Sequence, residues 1–437
     1  MDKDLRNDRL MEALEVAEAA YRDRTPQSRA WSERAAGGMP GGNTRTVLHF
    51  TPYPLRFTKA EDQWLTDADG NRYRDFLGEY SAGLYGHTCK PIMAAAEKAI
   101  HDGTVLGGPN TYEVELAELM CARFASLDLV RFTNSGTEAN LMALAAARAQ
   151  TGRDKIMVFA GGYHGGVLYI ADNARRSNAP FDFVIGTYND LEATRAAAAG
   201  IEDRIAAILI EPMMGGGGGI LAETAFLDGL KSFAASNGIV LIFDEVMTSR
   251  TGPGGLQGET GVIPDMTTFG KYLGGGFSFG AFGGRRDIMA LFDPYDPNAL
   301  PHAGTFNNNV TSMAAGLTGL RDVYTPEMAA RHTARGNRLR DQLTAVISRH
   351  GLPAQVTGTG SILCFHFHDH PIRSPADTGS TRPEVHALFH LEMLARSIYF
   401  ARRGYMSLSV ALTDDDDAAL LEAFDEVLMH HGDLLCS

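Results

Sequence analysis

The sequence predicts an α/β protein, with a doubly wound, mostly parallel sheet in a large domain and a smaller α+β domain built from both chain ends. Between about residues 91 and 246, short apolar runs alternate with helical stretches, a pattern typical of parallel sheets. After residue 325, one long helical stretch precedes a short strand and a last helix. We therefore expect three segments, which are residues 1–75, the large domain over 76–325, and 326–437.

The N-terminal segment is predicted to contain a helix, a loop and a β-meander in succession. Residues 1–36 are charged and predict one amphipathic helix. The run "GGMPGGNTRTV" at 37–47 predicts a loop, because Gly and Pro interrupt regular structure. Over 55–77, apolar residues alternate on both sides of an Asp-Gly-Asn turn, which predicts a β-meander. We expect this segment to be part of the smaller domain.

The elements of the two domains follow from run length and spacing. Short apolar runs rich in Val, Ile and Phe predict strands, and longer stretches with helical spacing predict helices. In the large domain the strands are predicted at 129–133, 155–160, 181–186, 205–212 and 238–246, and the helices at 91–102, 112–125, 138–151, 191–199 and 225–236. In the last segment we expect a helix at 326–350, a strand at 361–368 and a helix at 413–431.

Charge and apolar content exclude two kinds of partner. Asp and Glu number 53 against 39 Lys and Arg, so the formal charge of −14 repels nucleic acid. No apolar run approaches the roughly 18 residues that a membrane span needs.

The four cysteines are far apart and form no CxxC pair, which indicates a reducing cytoplasm. No metal is expected, since we interpret the histidines of "HFHDH" at 366–370 as ordinary strand and loop residues.

Polar residues follow the predicted strands. In a doubly wound sheet, ligands bind beyond the carboxyl ends of the strands, so these residues are expected to share one site. In chain order they are Ser135, Gly136, Thr137, Tyr163, His164, Glu211, Asp244 and Lys271.

Three of these positions each allow two interpretations. The Ser-Gly-Thr run at 135–137 starts a helix, where it either caps the helix or binds a phosphate. Lys271 lies near several glycines and is either an exposed lysine or one that forms a Schiff base with an aldehyde. Asp244 ends an apolar strand and is either a turn residue or the partner of a cation, such as the ring nitrogen of pyridoxal phosphate. The order of the motifs, with Lys271 27 residues after Asp244, is more specific than any one of them.

The motifs in this order resemble those of the class III aminotransferases, which are fold type I enzymes that use pyridoxal 5′-phosphate (PLP). The resemblance extends from about Gly38 to the last helix, and implies a homodimer with shared active sites. It implies that 135–137 hold the phosphate, which Thr305 reaches across the dimer interface, and that His164 and Glu211 lie near the cofactor ring. The matching runs are "NSGTEANLMALAAARAQTGRDKI", "GGYHG", "LIEP", "LIFDEVMTS", "PDMTTFGKYLGGG" and "GTFNNNVTSMAAG".

The same resemblance implies the catalytic roles. Lys271 would form the Schiff base and move protons at the substrate carbon. Asp244 would keep the ring nitrogen protonated. Tyr163 would stack on one face of the ring and Val246 would contact the other. Glu211 would also be a possible partner for an arginine.

Within the family, the sequence resembles the branch of the glutamate-1-semialdehyde aminomutases, and in it the aminotransferases of aromatic β-amino acids. This implies transfer of an amino group from a donor such as β-phenylalanine to 2-oxoglutarate or pyruvate. The resemblance places Arg45 and Arg403 at the substrate carboxylates, with Arg402 as the alternative to Arg403. Which arginine binds which carboxylate stays open. The alternatives are an aminomutase-type isomerase, which the short segment after the Tyr-His motif disfavours, and a PLP-binding protein without turnover.

Overall fold

The computed structural model describes residues 3–379 and 381–436. None of the helices in these ranges is long and apolar enough to span a membrane. The helices are α1 (Lys3–Arg24), α2 (Pro26–Ala36), α3 (Lys90–Asp102), α4 (Thr111–Arg123), α5 (Gly136–Thr151), α6 (Leu191–Ala198), α7 (Thr224–Asn237), α8 (Gly255–Thr260), α9 (Arg286–Met289), α10 (Val310–Thr318), α11 (Pro326–His350), α12 (Pro383–Ala395) and α13 (Asp414–Leu435).

In the described part of the chain, the strands form one large sheet and three smaller ones. They are β1 (Phe57–Glu61), β2 (Trp64–Asp67), β3 (Arg72–Asp75), β4 (Leu129–Thr133), β5 (Lys155–Phe159), β6 (Asp182–Gly186), β7 (Ile205–Ile210), β8 (Met213–Met214), β9 (Ile220–Leu221), β10 (Val240–Asp244), β11 (Met266–Gly270), β12 (Gly280–Gly284), β13 (Gln355–Thr359), β14 (Ile362–His366), β15 (Ile398–Tyr399) and β16 (Tyr405–Ser407).

The large sheet has seven strands in the order β4-β12-β11-β10-β7-β5-β6. Six of them run in one direction, and β12 is antiparallel to both of its neighbours. Alternate side chains of β5 and β10 enter two separate apolar clusters, one around α5 and the other around α7. Because successive strand residues point to opposite faces, helices cover both faces of the sheet. The predicted doubly wound, mostly parallel α/β fold is therefore confirmed.

Strand β12 differs from the sequence analysis, which predicts no strand there. Three of its five residues are glycine, and glycine is a weak strand former. A Cβ atom on Gly280 would lie 2.2 Å from the carbonyl oxygen of Ser135, and one on Gly283 would lie 2.4 Å from that of Leu129. Glycine is therefore required where the backbone of β12 passes this close to its neighbours.

The single helix predicted over residues 1–36 is wrong, because α1 and α2 are separate helices. Thr25, between them, has φ −130° and ψ 43°, which are not helical angles. Pro26 has no backbone N–H and disfavours helical geometry at the residue before it. The break therefore follows from the proline.

Both chain ends contribute to the smaller sheets. Strands β1, β2 and β3 form the predicted antiparallel meander, and β15 from the C-terminal part pairs with β3 in parallel. A further sheet has the order β13-β14-β16. Apolar residues of α1, α12, α13 and β14 share one core. The division of the chain at residues 75 and 325 stays a prediction.

Candidate active site

The polar residues that follow the strands lie at one edge of the large sheet. Ser135 comes two residues after β4, Tyr163 follows β5, and Glu211 follows β7 directly. Asp244 is the last residue of β10, and Lys271 follows β11 directly. Since these strands run in the same direction within one sheet, their carboxyl ends bring the residues together.

The carboxylate of Asp244 contacts three other groups at this edge. It is 5% exposed, and its Oδ2 accepts a hydrogen bond from Asn140 Nδ2 at 2.8 Å and lies 2.9 Å from His164 Nδ1. Its Oδ1 accepts from the Val246 amide at 3.0 Å. A buried carboxylate is costly unless it is hydrogen-bonded or paired with a cation. These three contacts fix the carboxylate in place.

Asn140 belongs to this network but is absent from the residues that the sequence analysis selects. It is 1% exposed on α5, and Thr268 donates to its Oδ1 at 2.7 Å. Its amide also donates to the carbonyl oxygen of His164 at 2.9 Å. An asparagine on the apolar face of an alanine-rich helix is the signal that marks it, because a buried amide needs partners.

Lys271 begins a short 3₁₀ turn, and its φ of 56° lies in the left-handed region. Its Nζ makes no hydrogen bond or ion pair with any residue that the structure describes. Burial lowers the pKa of the Lys271 ammonium to about 8, although the carboxylates of Asp244 and Glu211 oppose this shift. Near pH 8 a large fraction of the side chain is therefore a neutral amine, which is the nucleophilic form.

The start of α5 agrees with both interpretations of the Ser-Gly-Thr run. Ser135 Oγ caps the helix by accepting from the amide of Glu138 at 3.2 Å. The amides of Gly136 and Thr137 donate to no described residue. Such free amides at the positive end of a 16-residue helix form a site for an anion. Capping by one residue thus leaves the next two available for a phosphate.

Val246 lies between this helix start and the strand that leads to Lys271. A Cβ on Gly136 would come within 2.7 Å of Val246 Cγ2, and one on Gly270 within 3.2 Å of its Cγ1. A Cβ on Gly270 would also lie 3.4 Å from the Gly136 amide nitrogen. The helix start, Val246 and the Lys271 turn therefore form one wall of the site.

Glu211 contacts the Tyr163 segment and has no arginine partner among the described residues. It is 6% exposed, and its carboxylate accepts from the amides of Tyr163 at 2.8 Å and Gly215 at 3.1 Å. Burial raises the pKa of Glu211 to about 7. Tyr163 as a whole is 49% exposed, and its ring packs edge to face with that of Tyr169, with 5.5 Å between centroids. Glu211 thus holds the backbone of a residue whose ring is accessible.

The two predicted arginines meet at Tyr80, a residue that the sequence analysis does not select. The Cζ atoms of Arg45 and Arg403 lie 5.5 and 5.6 Å from the centroid of its ring. The ring of Tyr80 also stacks on that of Tyr405, with centroids 5.8 Å apart. Arg45 and Arg403 come from opposite ends of the chain, so only the folded structure brings them together.

The arginines differ in their partners. Arg45 Nη1 donates to the carboxylate of Glu79. The guanidinium of Arg403 contacts the rings of Tyr80 and Tyr405 but donates to no acceptor in the described chain. Its neighbour Arg402 donates to protein oxygens at 3.4 Å. Arg403 is therefore a half-buried cation without an anionic partner in the described chain, and it is available to bind a carboxylate.

A cavity of about 330 Å³ lies beside these groups and is lined by Val47, Tyr80 and Arg403 among others. A larger cleft of about 940 Å³ is lined by Thr305 together with residues of α4 and β4. Neither Lys271 nor Asp244 lines this cleft. Thr305 thus lies apart from the lysine and the aspartate of its own chain, in a cleft that they do not line.

The backbone amides and side chains at the sheet edge match the chemical groups of PLP. Free amides of Gly136 and Thr137 suit the phosphate, the unpartnered amine of Lys271 suits the aldehyde, and the buried carboxylate of Asp244 suits a protonated ring nitrogen. Together with the doubly wound sheet, this arrangement defines a PLP-dependent enzyme of the fold type I class.

The chain belongs to the class-III aminotransferases, since residues 49–428 match that family. It is 46% identical over 424 residues to the beta-phenylalanine transaminase of Variovorax paradoxus, covering 97% of this chain and 98% of that protein. The crystal structure of a beta-phenylalanine aminotransferase from the same organism superposes with a TM-score of 0.96 at 45% identity, covering 98% and 99% of the two chains. A glutamate-1-semialdehyde 2,1-aminomutase of Desulforudis audaxviator is 35% identical over 414 residues, covering 89% and 94%.

Proposed function

We propose that this aminotransferase moves the amino group of an aromatic β-amino acid, such as β-phenylalanine, to an α-keto acid such as 2-oxoglutarate or pyruvate. The observation that carries the proposal is that Arg45 and Arg403 both lie beside the Tyr80 ring. Arg45 donates a hydrogen bond to Glu79, whereas the guanidinium of Arg403 has no acceptor in the described chain. Such a site suits both a monocarboxylic donor and a dicarboxylic acceptor. The 46% identity to a beta-phenylalanine transaminase supports the same donor.

We propose that PLP is held by residues from four strand ends. The amides of Gly136 and Thr137, with the hydroxyls of Ser135 and Thr137, would bind the phosphate. Tyr163 would stack on the ring, and Val246 would contact its other face. His164 and Asn140 would keep Asp244 oriented toward the ring nitrogen, and Glu211 would keep the Tyr163 segment in place.

When bound, PLP supplies an aldehyde carbon that bonds an amine, and a ring that accepts the electrons of the breaking substrate C–H bond. We propose that Lys271 Nζ would hold that carbon in the resting enzyme, and that the lysine amine, once the substrate amine had displaced it, would take the proton from the amine-bearing carbon of the substrate. A base works best when its pKa lies near the working pH, and the pKa of about 8 meets this condition. Asp244 would stabilise a proton on the ring nitrogen through its negative charge.

The two carboxylate sites follow from the difference between the arginines. Arg403 has no acceptor in the described part of the chain, so it is available to the carboxylate of either substrate. Arg45 is available only when Glu79 releases it. We propose that Arg403 binds the carboxylate that both substrates have, and that Arg45 binds the second carboxylate of 2-oxoglutarate.

Alanine variants of the arginines test this assignment. A charge-assisted hydrogen bond contributes about 1.5–3 kcal/mol, which corresponds to roughly a tenfold or larger change in kcat/KM. We expect Arg403→Ala to lower kcat/KM at least about tenfold for both β-phenylalanine and 2-oxoglutarate, and Arg45→Ala to do so for 2-oxoglutarate alone. Arg402→Ala is the control and should change neither value. Equal effects of Arg45→Ala on both substrates would contradict the assignment.

The donor is tested by incubating the PLP-loaded protein with β-phenylalanine and 2-oxoglutarate. Formation of glutamate together with the β-keto acid would support the proposal. An aminomutase would instead convert glutamate-1-semialdehyde without any keto acid, and a protein without turnover would form neither product.

We propose that the active species is a homodimer in the cytoplasm. Exposed apolar residues, which include Val105, Leu106 and Phe306, border the cleft that contains Thr305. A second copy that covered this cleft would let Thr305 reach the phosphate of its partner. The four cysteines are free, as in a reducing compartment. Sedimentation should give an active species of twice 47.2 kDa, and an active monomer would contradict the dimer.

A further inference from the structure

The five glycines at 215–219, here named the glycine loop, follow β8 and lie beside Tyr163. The amide of Gly215 donates to the Glu211 carboxylate at 3.1 Å, and the amide of Tyr163 donates to the same carboxylate at 2.8 Å. A Cβ atom on Gly216 would lie 3.3 Å from Tyr163 Cβ. The glycine loop therefore lies directly against the backbone of the residue that is proposed to stack on the cofactor.

The other side of the glycine loop contacts β13 and β14. The carbonyl oxygen of Gly218 accepts a hydrogen bond from Thr357 Oγ1 at 2.7 Å and lies 2.9 Å from His366 Nε2. A Cβ on Gly218 would lie 3.0 Å from His366 Cε1 and 3.0 Å from Thr378 Cγ2. There is thus little room for a side chain where the glycine loop meets the C-terminal part of the chain.

Pro375 packs against both the glycine loop and the loop that carries Tyr163. It begins a 3₁₀ turn, Pro375–Thr378. Gly161 lies shortly before Tyr163 in the chain. A Cβ on Gly161 would lie 2.6 Å from Pro375 Cγ, and one on Gly217 would lie 2.9 Å from the same atom. Glycine at both positions therefore lets the two loops approach one proline ring.

Hydrogen bonds fix the conformation of this turn and attach it to elements beside the large sheet. Asp377 Oδ2 accepts from the amides of Arg373 at 3.0 Å and Ser374 at 2.8 Å. The Arg373 side chain pairs at 2.8 Å with Glu223, which caps α7, and its carbonyl oxygen accepts from Asn189 Nδ2 at 2.9 Å, near the start of α6. The turn is therefore held in place relative to the large sheet.

We propose that Pro375 is a positioning residue that holds the loop of Tyr163 where the tyrosine ring can stack on the cofactor. The inference rests on the proposed stacking role of Tyr163. Because Tyr163 is 49% exposed, the position of its ring depends on the backbone that carries it. Pro375 supports that backbone directly at Gly161 and indirectly through the glycine loop, which contacts Tyr163 at Gly216.

Gly217→Ala tests this role by placing a methyl group against Pro375. The φ of Gly217 lies outside the left-handed region, so its backbone accepts alanine. The new Cβ must displace the proline ring, whose Cγ would be its nearest neighbour at 2.9 Å. The probe is pyridoxamine 5′-phosphate, which has the ring and phosphate of PLP but no aldehyde and therefore binds without a covalent bond. Equilibrium dialysis of the full-length protein loaded with this probe should give a Kd about two- to tenfold above that of the wild type, as the loss of one aromatic contact implies.

Pro375→Ala is the complementary change, and it tests the proposal even if Gly217→Ala is unstable. Removing the ring should itself raise the Kd of the probe about twofold or more, because the Tyr163 loop loses its support. In the double variant, the methyl group at position 217 fills part of the space left by the ring, so the Kd should return to within about twofold of the wild type. A wild-type Kd for Pro375→Ala would overturn the proposal, as would a double variant that binds the probe no more tightly than Gly217→Ala.

Hydrogen exchange of the same loaded proteins reports on the Tyr163 loop itself. The Tyr163 amide, which donates to Glu211, should exchange faster in Gly217→Ala by a factor similar to the change in Kd, and should recover in the double variant. Gly166→Ala is the matched control, because a Cβ on this glycine of the same loop would meet no described atom within 4 Å beyond its chain neighbours. It should change neither the Kd nor the exchange. An effect equal to that of Gly217→Ala would contradict the role of the Pro375 contact.

The outcomes also distinguish this inference from the proposed function. Tyr163→Leu removes the stacking ring directly and should raise the Kd of the probe. If it left the Kd unchanged, the stacking role of Tyr163 would fail and the role of Pro375 with it. If it raised the Kd while Gly217→Ala and Pro375→Ala did not, only the role of Pro375 would fail. Neither result depends on the amino donor, since the titration contains no β-amino acid.

Discussion

Replacing Lys271 by alanine is expected to abolish amino transfer, with kcat falling by roughly a thousandfold or more. The reason is that this one amine is both the nucleophile and the base of the proposed reaction. The variant should still bind PLP, but without a covalent bond, because the phosphate site and Asp244 belong to other elements. Borohydride treatment followed by peptide mass spectrometry should find the cofactor on Lys271 in the wild type and on no lysine in the variant. A labelled peptide that lacked Lys271 would contradict the assignment.

The pH dependence gives an independent measure of the same residue. Burial lowers the pKa of Lys271 from 10.5 to about 8, so the amine is charged and unreactive below that pH and neutral above it. Covalent attachment of PLP to the cofactor-free protein should therefore accelerate as pH rises through about 8. Lys155→Ala, which removes a lysine paired with Asp182, should keep the wild-type profile. A midpoint near 10.5 would show that burial has no such effect.

The regular elements are predictable from the sequence where local pattern and length agree. The strand at 129–133 and the helix at 326–350 have the predicted boundaries in the structure. The break before Pro26 is also visible in the sequence, because a proline disfavours helical geometry at the residue that precedes it. Strand β12 is not visible in this way, because its glycines depend on how closely two other strands approach it. Tertiary contacts override local propensity at that point.

The site is predictable to the extent that the carboxyl ends of parallel strands meet at one edge. The order of motifs along the chain therefore selects Asp244 and Lys271. It does not select Asn140 or Glu79, because their partners are 104 and 34 residues away along the chain. Those contacts follow from the packing of whole elements. The difference between a free Arg403 and a paired Arg45 is likewise a property of the folded chain.

Asp244→Asn is expected to have the second large effect, a fall in kcat of about a hundred- to several-thousandfold, because removing one partner of a buried ion pair costs about 3–5 kcal/mol. The amide is nearly isosteric with the carboxylate but carries no negative charge to stabilise a proton on the cofactor ring nitrogen. It also replaces one acceptor oxygen by a donor, where the structure has three groups directed at the carboxylate. Loss of charge and loss of orientation therefore act together.

A cofactor methylated at its ring nitrogen separates these two causes. Its fixed positive charge does not require Asp244 for protonation, so it should restore part of the activity of Asp244→Asn while adding none to the wild type. Asp265→Asn is the matched control. It removes a carboxylate that precedes β11, accepts from the Leu241 amide at 2.9 Å and pairs with Arg285 at 2.8 Å, away from the carboxyl ends of the strands. This variant is expected to retain kcat even if it is less stable. If the methylated cofactor gave no recovery in Asp244→Asn, the residue would act through the orientation of its hydrogen-bonded neighbours rather than through its charge.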